Sequence, residues 1–280
     1  MASDIQKLVD VSRYLGSNTG YVQGGGGNTS IKTDERTMYV KASGRLLDGI
    51  SAETGFIPVD WQRMKRDVAN CMSEDDYSAL MTACSWSDTP SIRSSIETGF
   101  HAILGRCVLH SHSVWANLLN CSQEGEELAS ALFPDMLWVP YATPGLDLTK
   151  KIAVLADDTH PGILFLENHG LIVSADSEDA ALALHEKVNE TIRAHFDTAL
   201  DFPVCETVAV DGLLFPDQAV YHSNAALQQT RAGIETRQAV QFLACFIPKI
   251  GLTLKFLEDA ERNRLLQMES EKYRQKVSGS

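Results

Sequence analysis

The sequence has no uninterrupted apolar run approaching the ~18 residues that a membrane-spanning helix needs, so no span is expected. Residues 1–7 lack a basic stretch followed by an apolar one, so no secretory leader is expected and the cytoplasm is the expected location. Basic residues are scarce: 24 Lys and Arg stand against 37 Asp and Glu, giving a formal net charge of −13 and a pI near 5.0. Such a surface repels phosphate backbones, which argues against nucleic acid as a partner and requires any anionic ligand to be held by local donors. Six cysteines (Cys71, Cys84, Cys107, Cys121, Cys205 and Cys245) include no Cys-x-x-Cys pair, which excludes a thiolate zinc site of the usual spacing and fits reduced core thiols. There is no internal repeat and no low-complexity tract. No Gly-Lys-Ser/Thr ending and no helix-opening Gly-x-Gly-x-x-Gly is found, so neither a Walker loop nor a dinucleotide fingerprint is present.

What is there suffices for a full core: 280 residues, 44% of them hydrophobic. One catalytic domain over residues 1–200 is expected, followed by a mainly helical extension over 201–280. Ile5, Leu8, Val9 and Leu15 recur at helical spacing, with Ser3 and Gln6 placed as a capping box and Gly16 closing the helix. Strand-like runs at 30–32 and 38–41 flank a polar turn at Asp34 and form a hairpin. Residues 60–89 show helical patches, with 74–76 and 85–90 reading as surface loop. A short helix over 98–104, a strand over 106–111 and a helix carrying Val114, Trp115, Leu118 and Leu119 come next. Ile163 to Leu166 and Leu171 to Val173 read as strands around a turn, and 177–196 reads as a helix burying Ala181, Leu184, Val188 and Ile192. The segment from Pro203 to Ser223 reads as a linker or strand excursion, and 225–246 and 254–277 as helices.

His110 and His112 lie two apart in a strand-like run, so both imidazoles point to one face and can meet one ion. His169, in the turn ending at Gly170, would complete a three-histidine set that leaves a coordination position open. The plainer alternative is a partly buried strand and an ordinary turn residue. His101, His160, His185, His195 and His222 lack such partners and read as surface or helix residues.

Residues 24–27 are four consecutive glycines, followed by Asn28, Thr29 and Ser30. Such a run costs chain entropy, which argues that the backbone passes close to something or offers its amides to an anion, although a flexible hairpin loop is the commoner explanation. Lys41, Ser43 and Gly44 form a second small-residue turn carrying a cation and a hydroxyl, and the two turns flank one hairpin.

In order, Gly27-Asn28-Thr29-Ser30, Lys41-Ala42-Ser43-Gly44, Ser95-Ile96-Glu97, His110-Ser111-His112, Pro140-Tyr141-Ala142-Thr143 and Asn168-His169-Gly170-Leu171 resemble the class II aldolase/adducin family over about residues 5–198. The pattern is most similar to the aldolase part of rhamnulose-phosphate aldolase/dehydrogenase proteins, without a dehydrogenase fingerprint. The resemblance implies an α/β fold: a three-layer α/β/α sandwich with a mainly antiparallel central sheet and a C-terminal helical extension. It implies Zn2+ or another divalent first-row ion held by His110, His112, His169 and Glu97, with Glu97 as general base and acid. It implies that Gly27, Asn28, Thr29, Lys41, Ser43, Gly44 and Ser95 bind the substrate and its phosphate. Tyr141 would reach a neighbouring subunit's site in a homotetramer and donate a proton to an aldehyde oxygen.

Independently of the family, Glu97 is also an acidic residue at a helix N-terminus, favoured by the helix dipole, and Tyr141 is equally a buried tyrosine with a satisfied hydroxyl. The implied reaction is aldol cleavage of a small ketose phosphate through an enediolate, giving dihydroxyacetone phosphate or a related ketone and an aldehyde. Epimerisation, decarboxylation or dehydration from the same site is the alternative, and a non-catalytic adducin-like assembly module ranks third. Ile96 stands where a small fuculose-phosphate aldolase has a second serine, so the sugar, and whether it is phosphorylated, is left open.

Overall fold

A computed structural model describes residues 2–86, 92–156, 162–204 and 207–278. Its strands are β1 (Asn28–Lys32), β2 (Thr37–Lys41), β3 (Phe56–Asp60), β4 (Cys107–Ser111), β5 (Leu137–Val139), β6 (Ile163–Leu166) and β7 (Gly170–Ala175). They form one seven-stranded sheet in the order β3-β2-β1-β4-β7-β6-β5, antiparallel throughout except for β5 beside β6. The helices are α1 (Ala2–Ser17), α2 (Trp61–Asp67), α3 (Glu74–Cys84), α4 (Thr98–Ile103), α5 (Val114–Asn120), α6 (Gly125–Leu132), α7 (Leu146–Leu155), α8 (Glu178–His195), α9 (Pro216–Tyr221), α10 (Ala225–Gln228), α11 (Arg231–Lys249), α12 (Asp259–Gln267) and α13 (Glu269–Ser278).

Strand alternation sorts the side chains into two layers of core. Leu109 of β4, Phe165 of β6 and Leu171 and Val173 of β7 pack with Leu15 of α1, Leu118 of α5, Val188 of α8 and Phe242 of α11. Val108, Leu164 and Ile172 face the other way, against Phe100 of α4 and Ile152 of α7. Met38, Val40, Ile57 and Val59 extend that second layer over Met64 of α2 and Tyr77 of α3. The result is helices on both faces of a mainly antiparallel sheet, as expected from the resemblance. Burying each large side chain contributes about 1.5–3 kcal/mol, and both faces of β4 are covered, which fixes its register.

Several elements differ from the sequence reading. α1 continues one residue past Gly16. Residues 74–76 are the first turn of α3 rather than loop: Ser73 Oγ accepts from the Asp76 amide, and three acidic side chains sit at the positive end of the helix. The helix expected over 225–246 is broken after α10, where Thr230 caps α11, and that over 254–277 starts only at Asp259 and breaks at Met268. Leu184 is half-buried rather than buried. The segment read as a linker contains α9, opened by Pro216 at its first turn. Residues 87–91, His160 and Cys205 lie outside the described residues. No helix among the described residues is long and apolar enough to cross a membrane.

The extension packs on the sheet layer itself, since Leu214, Phe215, Val240, Phe242 and Phe246 belong to the same apolar cluster as β4 and α8.

Candidate active site

β4 lies between β1 and β7, with His110 opposite Asn28 on one side and Ile172 on the other. The His110 ring points to the α4 side, edge-on to Phe100. Its Nδ1 lies 3.1 Å from the Leu171 carbonyl. A carbonyl only accepts, so Nδ1 carries the proton and Nε2 keeps a lone pair. Ser111 points to the opposite face, where its hydroxyl bonds His185 Nε2 at 2.8 Å. His112 follows the strand with the parity of His110.

His169 comes from the turn between β6 and β7. Asn168 ahead of it takes a positive φ of 50° and donates to the carbonyls of Leu214 and Lys255. Asn117 and Asn120 of α5 donate to the carbonyls of His169 and Gly170. The turn is thus tied down from two sides. The three ring centroids are 5.0, 5.0 and 5.1 Å apart, and one donor atom from each ring lies within 4.8 Å of the others.

Glu97, at the N-terminal cap of α4, completes the cluster. Its Oε1 is 3.3 Å from His169 Nε2 and 3.6 Å from His110 Nε2. Both Glu97 Oε1 and His110 Nε2 are buried without a hydrogen-bond partner. Orphaned buried polar atoms are rare and costly, and a carboxylate oxygen converging with imidazole nitrogens is the donor set of a divalent first-row cation. The residues present therefore fit such an ion.

The other carboxylate oxygen is fixed by a directed chain. Asn28 Nδ2 donates to Glu97 Oε2 at 2.5 Å, His101 Nε2 donates to Asn28 Oδ1, and Ser30 Oγ sits 2.7 Å from His101 Nδ1. Burial alone would raise the Glu97 carboxyl, but His110, His169, His112 and the Asn28 amide outweigh it and hold it at about 2. Burial drives His110 down to about 4 and His169 to about 3, leaving them neutral, the form that binds metal.

The glycine loop and the second turn meet beside this cluster. Gly27, Asn28, Lys41, Ser43, Gly44 and Ser95 line the same pocket as Glu97, His112 and His169. Gly27 has φ +63°, and a Cβ there would fall 2.8 Å from the His110 carbonyl, so close passage against β4 explains the residue. Lys41 is buried, with Nζ donating to the Gly25 carbonyl at 3.1 Å.

Two expected members lie elsewhere. The Thr29 hydroxyl meets Ser12 of α1 at 2.7 Å, on the far face of the sheet, because it alternates with Asn28 and Ser30. Tyr141 lines a separate cleft and donates to Glu261 Oε1 at 2.8 Å; burial and that carboxylate raise its hydroxyl's pKa. His101 and His185, read from sequence as ordinary positions, are buried structural partners of the site. His101 had a visible signal, lying one helical turn after Glu97. Asp217, whose Oδ2 is 3.2 Å from His112 Nδ1, had none.

Residues 6–196 match the family described as Class II Aldolase and Adducin N-terminal domain. Uncharacterized oxidoreductase YuxG of Bacillus subtilis (strain 168) is 31% identical over 189 residues, 62% of this chain and 27% of that protein. Methylthioribulose-1-phosphate dehydratase of Sodalis glossinidius (strain morsitans) is 30% identical over 131 residues, 44% of this chain and 53% of that protein. The chain thus spans about a quarter and about half of these relatives. The N-terminal class II aldolase domain of a conserved protein from Thermoplasma acidophilum superposes with a TM-score of 0.62 at 25% identity, covering 70% of this chain and 94% of that one. With its model matched over most of the sequence and its sheet shared with that domain, the chain belongs to the class II aldolase and adducin N-terminal domain family.

Proposed function

We propose that the protein is a metal-dependent lyase that cleaves and forms the carbon–carbon bond of a small ketose phosphate. The observation that carries this reading is the convergence of Glu97 Oε1 with His110 and His169 Nε2 beside a glycine-lined pocket. His110, His112, His169 and Glu97 would hold the ion, with zinc the expected one. Such an ion supplies Lewis acidity toward negative charge developing on substrate oxygens.

The residues then divide the work. In the condensation direction the Glu97 carboxylate takes a proton from the carbon beside the carbonyl, giving an enediolate. That carbon attacks the aldehyde, and a tyrosine hydroxyl donates the proton that the aldehyde oxygen needs. Tyr141 fills this role across a subunit contact in a homotetramer. Beside its cleft Val154 is 82% exposed and Leu155 39%, apolar surface that such a contact would cover. The amides and side chains of Gly27, Asn28, Ser43, Gly44 and Ser95, with Lys41, hold the phosphate, and the cytoplasm is where such a sugar phosphate would be met.

The dehydratase relative supports a second outcome, loss of water from a thio-sugar phosphate by proton abstraction at the same place. The test is to load the purified chain with Zn2+ and offer ketose 1-phosphates. Release of dihydroxyacetone phosphate with an aldehyde supports cleavage, and product retaining every carbon supports dehydration or epimerisation. No turnover of any sugar phosphate by metal-loaded protein would sink both.

A further inference from the structure

The family match ends at residue 196, yet a residue beyond it reaches the imidazole cluster. Asp217 of α9 is 2% exposed and lines the pocket with His112 and His169. Its Oδ2 lies 3.2 Å from His112 Nδ1, a contact close but not aligned as a hydrogen bond, which leaves Nδ1 buried and unbonded. The glycine loop is shaped around this pair. A Cβ at Gly26 would stand 2.7 Å from His112 Nδ1 and 2.9 Å from Asp217 Oδ2, so only glycine fits there without shifting them.

The segment carrying Asp217 is anchored to the cluster from below. Leu214 N donates to Gln218 Oε1 at 2.8 Å, Gln218 Nε2 returns to the Gly212 carbonyl, and the Leu214 carbonyl accepts from Asn168 Nδ2, one residue before His169. Placement of Asp217 and of the third imidazole thus depends on the same stretch of backbone.

We propose that Asp217 is a positioning residue for His112: from its place 3.2 Å away, its carboxylate accepts from Nδ1–H once an ion draws the ring into line. That bond selects the tautomer whose lone pair is on Nε2, orients the ring, and makes that nitrogen a better donor to the ion. Histidine ligands commonly have such an outer partner, and its loss typically weakens metal binding by about 10–100-fold. The inference rests on the three-histidine metal reading, and the extension thereby becomes part of the site.

The test uses the full chain with Asp217→Asn, which keeps the packing, and Asp217→Ala. Zn2+ affinity is measured by chelator competition, and the visible spectrum of the Co2+-loaded protein reports ligand geometry. The expected result is a loss of affinity of about 10–100-fold in both variants with altered Co2+ bands and an unchanged circular dichroism spectrum, and recovery in Asp217→Glu. Unchanged affinity and bands in folded Asp217→Asn, alongside metal loss in His110→Ala, overturn the role of Asp217 alone. Full metal retention in His110→Ala overturns the metal reading and this inference together.

Discussion

Asn28 Nδ2 holds one oxygen of Glu97 at 2.5 Å, which turns the other oxygen toward His110 and His169. The amide itself is fixed by His101, so the orientation of the proposed base is set by a residue of the sheet and one of the following helix. Four expectations follow from this arrangement and its surroundings.

His169→Ala removes one of three convergent imidazoles and is expected to abolish metal retention, read by elemental analysis of dialysed protein. Glu97→Gln keeps the shape and three imidazoles, so metal stays bound while turnover drops about 10²–10⁴-fold, the usual worth of a general base. Metal content unchanged in His169→Ala would contradict the site.

Asn28→Ala leaves Glu97 Oε2 and His101 Nε2 without their partner inside a buried cluster. A stability loss of about 1–3 kcal/mol is expected from the unsatisfied groups, measured by urea denaturation. His101→Phe preserves volume but strands the Asn28 oxygen, and should cost stability in the same range. A neutral result for both would mean that the chain does not carry the orientation.

Acid should destabilise the fold before carboxylates titrate. Burial holds His101 and His169 at about 3 and His110 at about 4, against an ordinary 6.5. As pH falls below 6.5 the unfolded chain takes up these protons while the folded chain does not, so the unfolded state binds more protons and stability declines. Glu97, held at about 2 against an ordinary 4.5, acts in the same direction at lower pH. The urea midpoint of metal-free protein should fall steadily from pH 6.5 to 4; a midpoint that rises on acidification would refute the assignment.

Burial pushes the Cys84 thiol up to about 11 and Cys107 up to about 12, and both side chains are inaccessible. Neither should react with a thiol reagent at neutral pH in the folded protein, and both should react once denatured. Peptide mapping after alkylation with and without denaturant checks this.

Much of the site could be read before the fold was known, because its information is local. The two-residue spacing of His110 and His112 puts both rings on one face of any strand, and the Asn168-His169-Gly170 turn advertises itself by its small, turn-forming residues. The glycine run is compatible with close backbone passage or with a flexible hairpin loop, and the contact of Gly27 with β4 decides between them. Helix existence was legible for α1, α5 and α8, whose apolar stripes repeat at helical period, whereas the breaks between α10 and α11 and between α12 and α13 were not.

What the sequence by itself determined was which residue types were available at which spacing, and hence the strand, the turn and the candidate ligands. Only the tertiary structure decided that the pairing of β7 with β4 brings His169 to His110, that Thr29 faces away from the pocket, and that Asp217, from a segment with no periodic signal, stands beside His112. Spacing along a chain fixes facing over a few residues. Contacts between residues separated by a hundred depend on sheet order and on how helices from both ends pack over it, and no local pattern encodes that.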